Sequence, residues 1–178
     1  MGKKQNTKKH RKSQHSSRKK SAPKIYQPGN RNTIPGLNNI TFTMIKIAAS
    51  QGDARAQHAL GSLFYMGNVL PQDYEQARIW FEKAAAQGYA DAQWLLGSMY
   101  YKGEGIPQDL AKAHELLEKA AAQGAAEAQY LLGCMYYKGE HVQQDFEKAR
   151  ELFEQAAAQG QPFAKSALQQ RYSHSREN

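Results

Sequence analysis

The sequence repeats itself every 36 residues. The dipeptide Gln-Gly begins at positions 51, 87, 123 and 159, and residues 88–123 match residues 124–159 at 24 of 36 positions without a gap. Self-similarity with a period of this length is typical of solenoids. In such folds one unit cannot bury its own apolar residues, and the stacking of three or more units creates the core.

Each unit predicts two helices, A and B. In the second full unit, apolar residues at helical spacing predict helix A from about Tyr89 to Lys102. Residues 103–108 contain two glycines and a proline and predict a loop. Asp109 is then placed to cap helix B, which we expect to run to about Gln123, where Gly124 ends it.

Glycine recurs in the middle of helix A at positions 61, 97 and 133. Glycine inside a helix costs about 1 kcal/mol relative to alanine. Its return at one position in three units predicts that helix A approaches helix B closely there.

The pattern also extends beyond the complete units, so about eight helices are expected. We divide the chain into a basic tail (1–20), a linker (21–39), an N-terminal half repeat made of helix B (40–52), three full repeats (53–88, 89–124 and 125–160), a C-terminal half repeat made of helix A (161–173) and a polar tail (174–178).

Charge separates the N-terminal part of the chain from the repeats. Residues 1–52 carry 12 Lys and Arg and no acidic residue, whereas the remaining residues carry 12 basic and 16 acidic residues. The tail alone holds nine of these basic residues: Lys3, Lys4, Lys8, Lys9, Arg11, Lys12, Arg18, Lys19 and Lys20. We expect this tail to be disordered and to attract polyanions.

The tail leaves several partners open. Nucleic acid or a ribosome is the favoured partner, a solvated arm without a partner is the alternative, and a membrane surface or an acidic protein is less expected. Residues 1–20 contain no aromatic side chain that could stack on a base, which argues against sequence-specific RNA binding.

Composition excludes several classes of protein. A hydrophobic content of 40% excludes a wholly disordered chain, and no apolar run reaches the roughly 18 residues of a membrane-spanning helix. The single cysteine, Cys134, cannot form an internal disulfide or a thiolate metal site. A reducing, cytoplasmic location and a monomeric state are therefore expected, with no metal and no cofactor.

The unit resembles the Sel1-like repeat family, which is related to the tetratricopeptide repeats. The resemblance rests on the run Ala-Gln-x-x-Leu-Gly-x-x-Tyr from Ala92 to Tyr100, on the loop residues Gly103 and Gly105, and on the Gln123-Gly124 pair. It implies an all-α, right-handed superhelical solenoid of antiparallel helix pairs, common in bacteria. It also implies a scaffold or adaptor that binds proteins.

In related repeats helix A lines the concave surface. Residues spaced 0, +3, +7, +10 and +11 along helix A share one side of the helix. We call this surface the A-helix face; its residues are Arg55, His58, Ser62, Tyr65 and Met66, then Asp91, Trp94, Ser98, Tyr101 and Lys102, then Glu127, Tyr130, Cys134, Tyr137 and Lys138.

The candidate binding site consists of all residues of the A-helix face except Ser62, Ser98, Cys134 and Met66. An aromatic ladder lies between an acidic row and a basic row, which suits an extended peptide. For the tyrosines at 65, 101 and 137, packing between neighbouring repeats is the alternative interpretation. For Trp94 and Tyr130 we favour partner binding.

Catalysis is not expected. Some secreted relatives have been described as penicillin-binding or β-lactam-hydrolysing, but they are rich in cysteine, and this chain is not. Two Ser-x-x-Lys matches fall in the basic tail without the other signatures of such enzymes. His58 and His114 have no serine or cysteine at the spacing of a known catalytic motif. A β-lactam-binding or β-lactam-hydrolysing enzyme thus stays a remote alternative.

Overall fold

The computed structural model describes residues 39–172, and these residues form eight α-helices without a strand. The helices are α1 (Asn39–Ser50), α2 (Ala54–Met66), α3 (Tyr74–Ala86), α4 (Ala90–Lys102), α5 (Leu110–Ala122), α6 (Ala126–Lys138), α7 (Phe146–Ala158) and α8 (Pro162–Tyr172). Helices α2, α4 and α6 are the A helices of the full repeats, and α3, α5 and α7 are their B helices. The expected all-α solenoid is confirmed.

Helix starts follow the predicted chemistry at the B helices. The carboxylate of Asp109 accepts a hydrogen bond from the backbone N–H of Lys112 at 3.0 Å, and Asp73 and Asp145 cap α3 and α7 in the same way. Helix α4 differs slightly from its prediction. Tyr89 is the residue just before the helix; its backbone is extended and its side chain makes no cap hydrogen bond.

The three mid-helix glycines lie where the A and B helices of one repeat touch. A Cβ atom built on Gly61 would lie 2.7 Å from the Phe81 ring, and one on Gly133 would lie 2.8 Å from the Phe153 ring. Both phenylalanines are completely buried. The predicted close approach is confirmed, because a Cβ atom would collide with the core at Gly61 and Gly133 and would make a tight contact of 3.0 Å with Leu117 at Gly97.

A buried glutamine joins each A helix to the helices before and after it. The Gln57 amide donates to the Ala49 carbonyl of α1 at 3.2 Å, and its Oε1 accepts from Gln87 Nε2 at the end of α3 at 2.8 Å. Gln93 with Gln123, and Gln129 with Gln159, repeat the arrangement at the same 2.8 Å. These contacts explain why Ala-Gln and Gln-Gly recur together: they form the seam between repeats.

Candidate functional site

The A-helix face is carried by α2, α4 and α6. Helices α4 and α6 contact each other directly, in addition to their contacts with the B helices between them, so their faces adjoin. Residues at the edges of the face, such as Asp91 and Lys102, are exposed, whereas Trp94 and Tyr101 between them are half-buried. Helix α6 has the same distribution.

Two tyrosines of the face bridge neighbouring repeats. The Tyr65 hydroxyl donates to Glu104 Oε2 at 2.5 Å, and the Tyr101 hydroxyl donates to Glu140 Oε2 at 2.7 Å. Burial and these carboxylates raise the pKa of both phenols. The packing interpretation of these two tyrosines is therefore supported by direct contacts.

Tyr137 is held differently, at the C-terminal end of the described repeats. The Arg171 guanidinium of α8 lies 4.1 Å from the centre of the Tyr137 ring, and the Phe146 ring meets it edge-on at 5.2 Å. This geometry is that of a cation–π contact. Tyr137 thus contacts α8, whose Ala164 and Ala167 are buried in the core.

The basic row is already paired. Lys102 Nζ lies 3.5 Å from Glu104, and Lys138 Nζ lies 3.3 Å from Glu140 and donates to the Tyr101 hydroxyl at 3.0 Å. Sequence analysis did not identify the two glutamates as part of the site, because they follow Gly103 and Gly139 in the loop. The sequence did contain a signal for these glutamates, because they occupy the same position in two successive repeats.

The acidic row is exposed and available. Asp91 and Glu127 lie at the first turns of α4 and α6, and neither has an ion pair among residues 39–172. The equivalent position on α2 carries the exposed Arg55. The charge that the face offers to a partner therefore changes sign along the solenoid.

Between these rows lie His58, Trp94 and Tyr130, all half-buried. The His58 ring stacks at a tilt 5.2 Å from Tyr89, and the Tyr130 ring lies 5.8 Å from Phe153. Desolvation lowers the pKa of His58, although the charge of nearby Asp91 opposes the shift. His58 and Tyr130 are thus held by neighbouring rings, and all three side chains remain partly accessible.

His58 has no serine at the spacing of a known catalytic motif, but one serine of the same helix lies close to its ring. Ser62 Oγ lies 3.5 Å from His58 Nε2, one helical turn away. The distance is at the limit of a hydrogen bond. Ser62 also lies inside α2, whose backbone N–H groups bond within the helix and leave no donors for an oxyanion. The pair does not form a nucleophilic site.

Cys134 is buried beside Tyr130, and burial raises the pKa of its thiol. A thiol with a raised pKa is a poor nucleophile and a poor metal ligand, because the thiolate is the reactive form. Across the described helices and loops, no three His, Cys, Asp or Glu residues are placed to hold a metal ion.

A polar cluster that sequence analysis did not anticipate lies away from the face. The Tyr136 hydroxyl accepts a hydrogen bond from Lys148 Nζ at 2.6 Å and lies 3.3 Å from His114 Nε2. His141, with a φ of 66°, takes the left-handed position that Gly105 occupies one repeat earlier, and its ring lies 5.9 Å from His114. Beside Tyr136 a cavity of about 450 Å³ opens to solvent.

The nine basic residues of the tail, the linker up to residue 38 and the segment 173–178 lie outside the described residues. Within the described ones, none of the eight helices has both the length and the hydrophobicity needed to cross a membrane.

Comparison with known families decides what kind of repeat this is. A family model described as the Sel1 repeat matches three times, at residues 54–89, 90–124 and 126–161. The chain belongs to the Sel1 repeat family. The matched segments correspond to the three complete helix pairs, and the flanking helices α1 and α8 lie outside them.

Solved structures of Sel1 repeat proteins are similar to this chain. A protective antigen of uropathogenic Escherichia coli with an SLR fold is 38% identical, with a TM-score of 0.71, over 77% of this chain and 29% of its own. A Sel1 repeat protein from Oxalobacter formigenes is 39% identical, with a TM-score of 0.65, over 72% of this chain and 96% of its own. Helicobacter pylori cysteine-rich protein B shares the fold at 22% identity and a TM-score of 0.56.

Among curated proteins, the secretory immunoglobulin A-binding protein EsiB of Escherichia coli is 39% identical over 52 residues. The match spans 29% of this chain and 11% of EsiB.

Proposed function

We propose that the protein is a non-catalytic adaptor that binds an extended peptide segment of a partner protein on the A-helix face. The observation that carries this proposal is the pair of half-buried aromatic rings, Trp94 and Tyr130, on adjoining helices beside exposed acids that form no ion pair with any described residue. Helical Sel1 solenoids are typical interaction scaffolds, which agrees with this role.

Rigidity favours binding at this surface. Tyr65 and Tyr101 are fixed by hydrogen bonds to the next repeat, and Tyr130 packs on Phe153. Aromatic side chains that are already held in place lose little entropy when a partner covers them, and Trp and Tyr are enriched among residues that dominate binding energy.

Charge indicates the kind of peptide. The lysines of the basic row are paired with Glu104 and Glu140, while Asp91 and Glu127 have no ion pair within residues 39–172. A peptide with basic side chains spaced to meet these two acids is therefore favoured over an acidic one. Electrostatic matching of this kind determines register and specificity more than total affinity.

EsiB is, by its name, an immunoglobulin-binding protein, which supports protein binding as a use of these repeats, although the matched stretch is short. We place the adaptor in a bacterial cytoplasm, as the single buried cysteine suggests. The cationic tail offers a second mode of action, in which it binds nucleic acid or a ribosome while the solenoid binds a protein.

The proposal can be tested with peptides selected by the full-length protein from a displayed random library. The affinity of the selected peptides is measured by calorimetry for the wild type and for Trp94→Ala combined with Tyr130→Ala. We expect a loss of at least tenfold, because each ring is a candidate hot spot. Asp91→Asn with Glu127→Gln should weaken basic peptides severalfold, mainly at low salt.

A matched control is Trp80→Leu, which removes an indole from helix α3 and introduces the residue that the chain itself uses at the equivalent Leu116. This variant should bind like the wild type. Unchanged affinity in the folded Trp94, Tyr130 double variant would reject the A-helix face. Binding that disappears with nuclease treatment would instead favour the tail as the functional element.

A further inference from the structure

Helix α1 exposes a row of apolar side chains. Ile40, Met44 and Ile47 are 71%, 65% and 50% exposed. Their spacing of four and three residues places them on one side of the helix. The opposite side, through Ala49, packs on α2. Helix α1 is thus apolar on both sides, although only one of them faces the core.

The other B helices show that two of these residues are unusual. At the position of Ile40 they carry Gln76, Lys112 and Lys148, and at the position of Ile47 they carry Lys83, Lys119 and Gln155. At the position of Met44 they carry Trp80, Leu116 and Leu152. These last three help to form the apolar clusters. No A helix precedes α1 among residues 39–172, which agrees with the exposure of Met44 but does not explain isoleucine at two positions that are polar in the other B helices.

A second copy of the chain is a poor occupant of this face. End-to-end stacking would place α1 against α8 of another copy, where Gln169 stands at the glycine position that permits close helix contact at Gly133. A symmetric α1 pair would bring together two N-terminal parts that each hold 12 Lys and Arg and no acid in residues 1–52. Charge repulsion opposes that arrangement.

The same charge points to a different occupant. We propose that α1 lies on an anionic lipid surface, with Ile40, Met44 and Ile47 inserted at the headgroup boundary and the basic residues of the N-terminal part attracted to the lipid charge. A single weak anchor gives marginal membrane binding, whereas an apolar element combined with a polybasic stretch gives stable binding. Sequence analysis considered a membrane an unlikely partner of the tail; α1 supplies the apolar element that the tail lacks.

The test uses the full-length protein and vesicles of phosphatidylcholine with or without phosphatidylglycerol. Binding is measured by co-sedimentation, and protection of the α1 amides is measured by hydrogen exchange. The informative variant is Ile40→Gln with Ile47→Gln, because both substitutions copy residues used at equivalent positions, Gln76 and Gln155, and leave the net charge unchanged. Phe163→Gln, at another exposed apolar residue, is the control.

We expect binding only to the vesicles that contain phosphatidylglycerol, with a loss of at least tenfold in the double glutamine variant and no loss in the control. Amides of α1 should gain protection in the wild type. Absence of binding to the anionic vesicles would overturn the proposal. So would equal binding by the wild type and the double variant, since the tail would then act alone. A wild-type dimer that the double variant converts to a monomer would show that α1 is a self-association surface.

Discussion

The seam between repeats and the A-helix face lie side by side on the same helices, but they differ in how strictly they repeat. Gln57, Gln93 and Gln129 of the seam are identical and each 5% exposed, whereas the residues that directly follow them are His58, Trp94 and Tyr130. Residues that return in every unit hold the solenoid together. At neighbouring positions the residue differs from repeat to repeat, and these side chains can determine which partner is recognised.

The largest effect on folding should come from breaking the seam. Gln93→Ala removes the hydrogen bond to the Ala85 carbonyl and the acceptor of Gln123. We expect the free energy of unfolding in urea to fall by about 2 kcal/mol, because two hydrogen bonds of a buried side chain are lost together, although the Ala85 carbonyl keeps the Gly88 N–H as a donor. The exposed Gln170→Ala is the control and should change it by less than about 0.5 kcal/mol. A similarly small change for Gln93→Ala would show that the seam is not important for stability.

Replacing the mid-helix glycines with alanine should destabilise some repeats more than others. Gly133→Ala places a Cβ atom 2.8 Å from the Phe153 ring and 3.2 Å from the Ala149 carbonyl, and we expect a loss of about 1–2 kcal/mol. Gly97→Ala meets Leu117 at 3.0 Å. There the gain in helix propensity of about 1 kcal/mol should offset most of the cost. Thermal unfolding of both variants measures the difference, and equal destabilisation would contradict this account.

Removing a tyrosine hydroxyl tests whether that residue of the A-helix face stabilises the fold or binds a partner. Tyr101→Phe removes the hydrogen bonds with Glu140 and Lys138, and a stability loss of about 1 kcal/mol is expected. Peptide affinity should stay within twofold of the wild type. If Tyr101→Phe instead weakened peptide binding tenfold without affecting urea unfolding, Tyr101 would belong to the recognition surface.

The smallest expected effect is a dependence of stability on pH. Burial lowers the pKa of His58 and His114 in the folded state, so the unfolded chain binds more protons below the ordinary histidine value of about 6.5. The stability present above that pH should therefore decrease as the pH falls toward the lowered folded values. Replacing both histidines with glutamine should reduce the dependence of the urea midpoint on pH between about pH 6.5 and 5. An unchanged slope would exclude them as the cause.

Most of the fold could be predicted from the sequence because its determinants are local. The 36-residue period indicated helix pairs, Asp109 indicated a helix start, and Gly61 indicated a close contact. Each of these signals lies within one repeat or returns at a fixed distance. The end of helix A at Lys102 also agreed with the structure.

The candidate site was less predictable because its charges depend on contacts between repeats. Tyr65 donates a hydrogen bond to Glu104, and Tyr101 donates one to Glu140, in each case 39 residues away. These bonds connect successive repeats, and the helical spacing of apolar residues does not predict such contacts. The exposed isoleucines of α1 became informative only after the structure showed which side of the helix packs on α2.

The central claim, that partners bind on the A-helix face, is tested most directly by the two tryptophan indole signals in a ¹⁵N–¹H correlation spectrum of the full-length protein. Trp94 lies on the face, and Trp80 lies on α3 beside Lys83. Addition of a selected peptide should shift or broaden the Trp94 indole signal and leave the Trp80 signal unchanged. A shift of the Trp80 signal with an unperturbed Trp94 signal would contradict the account.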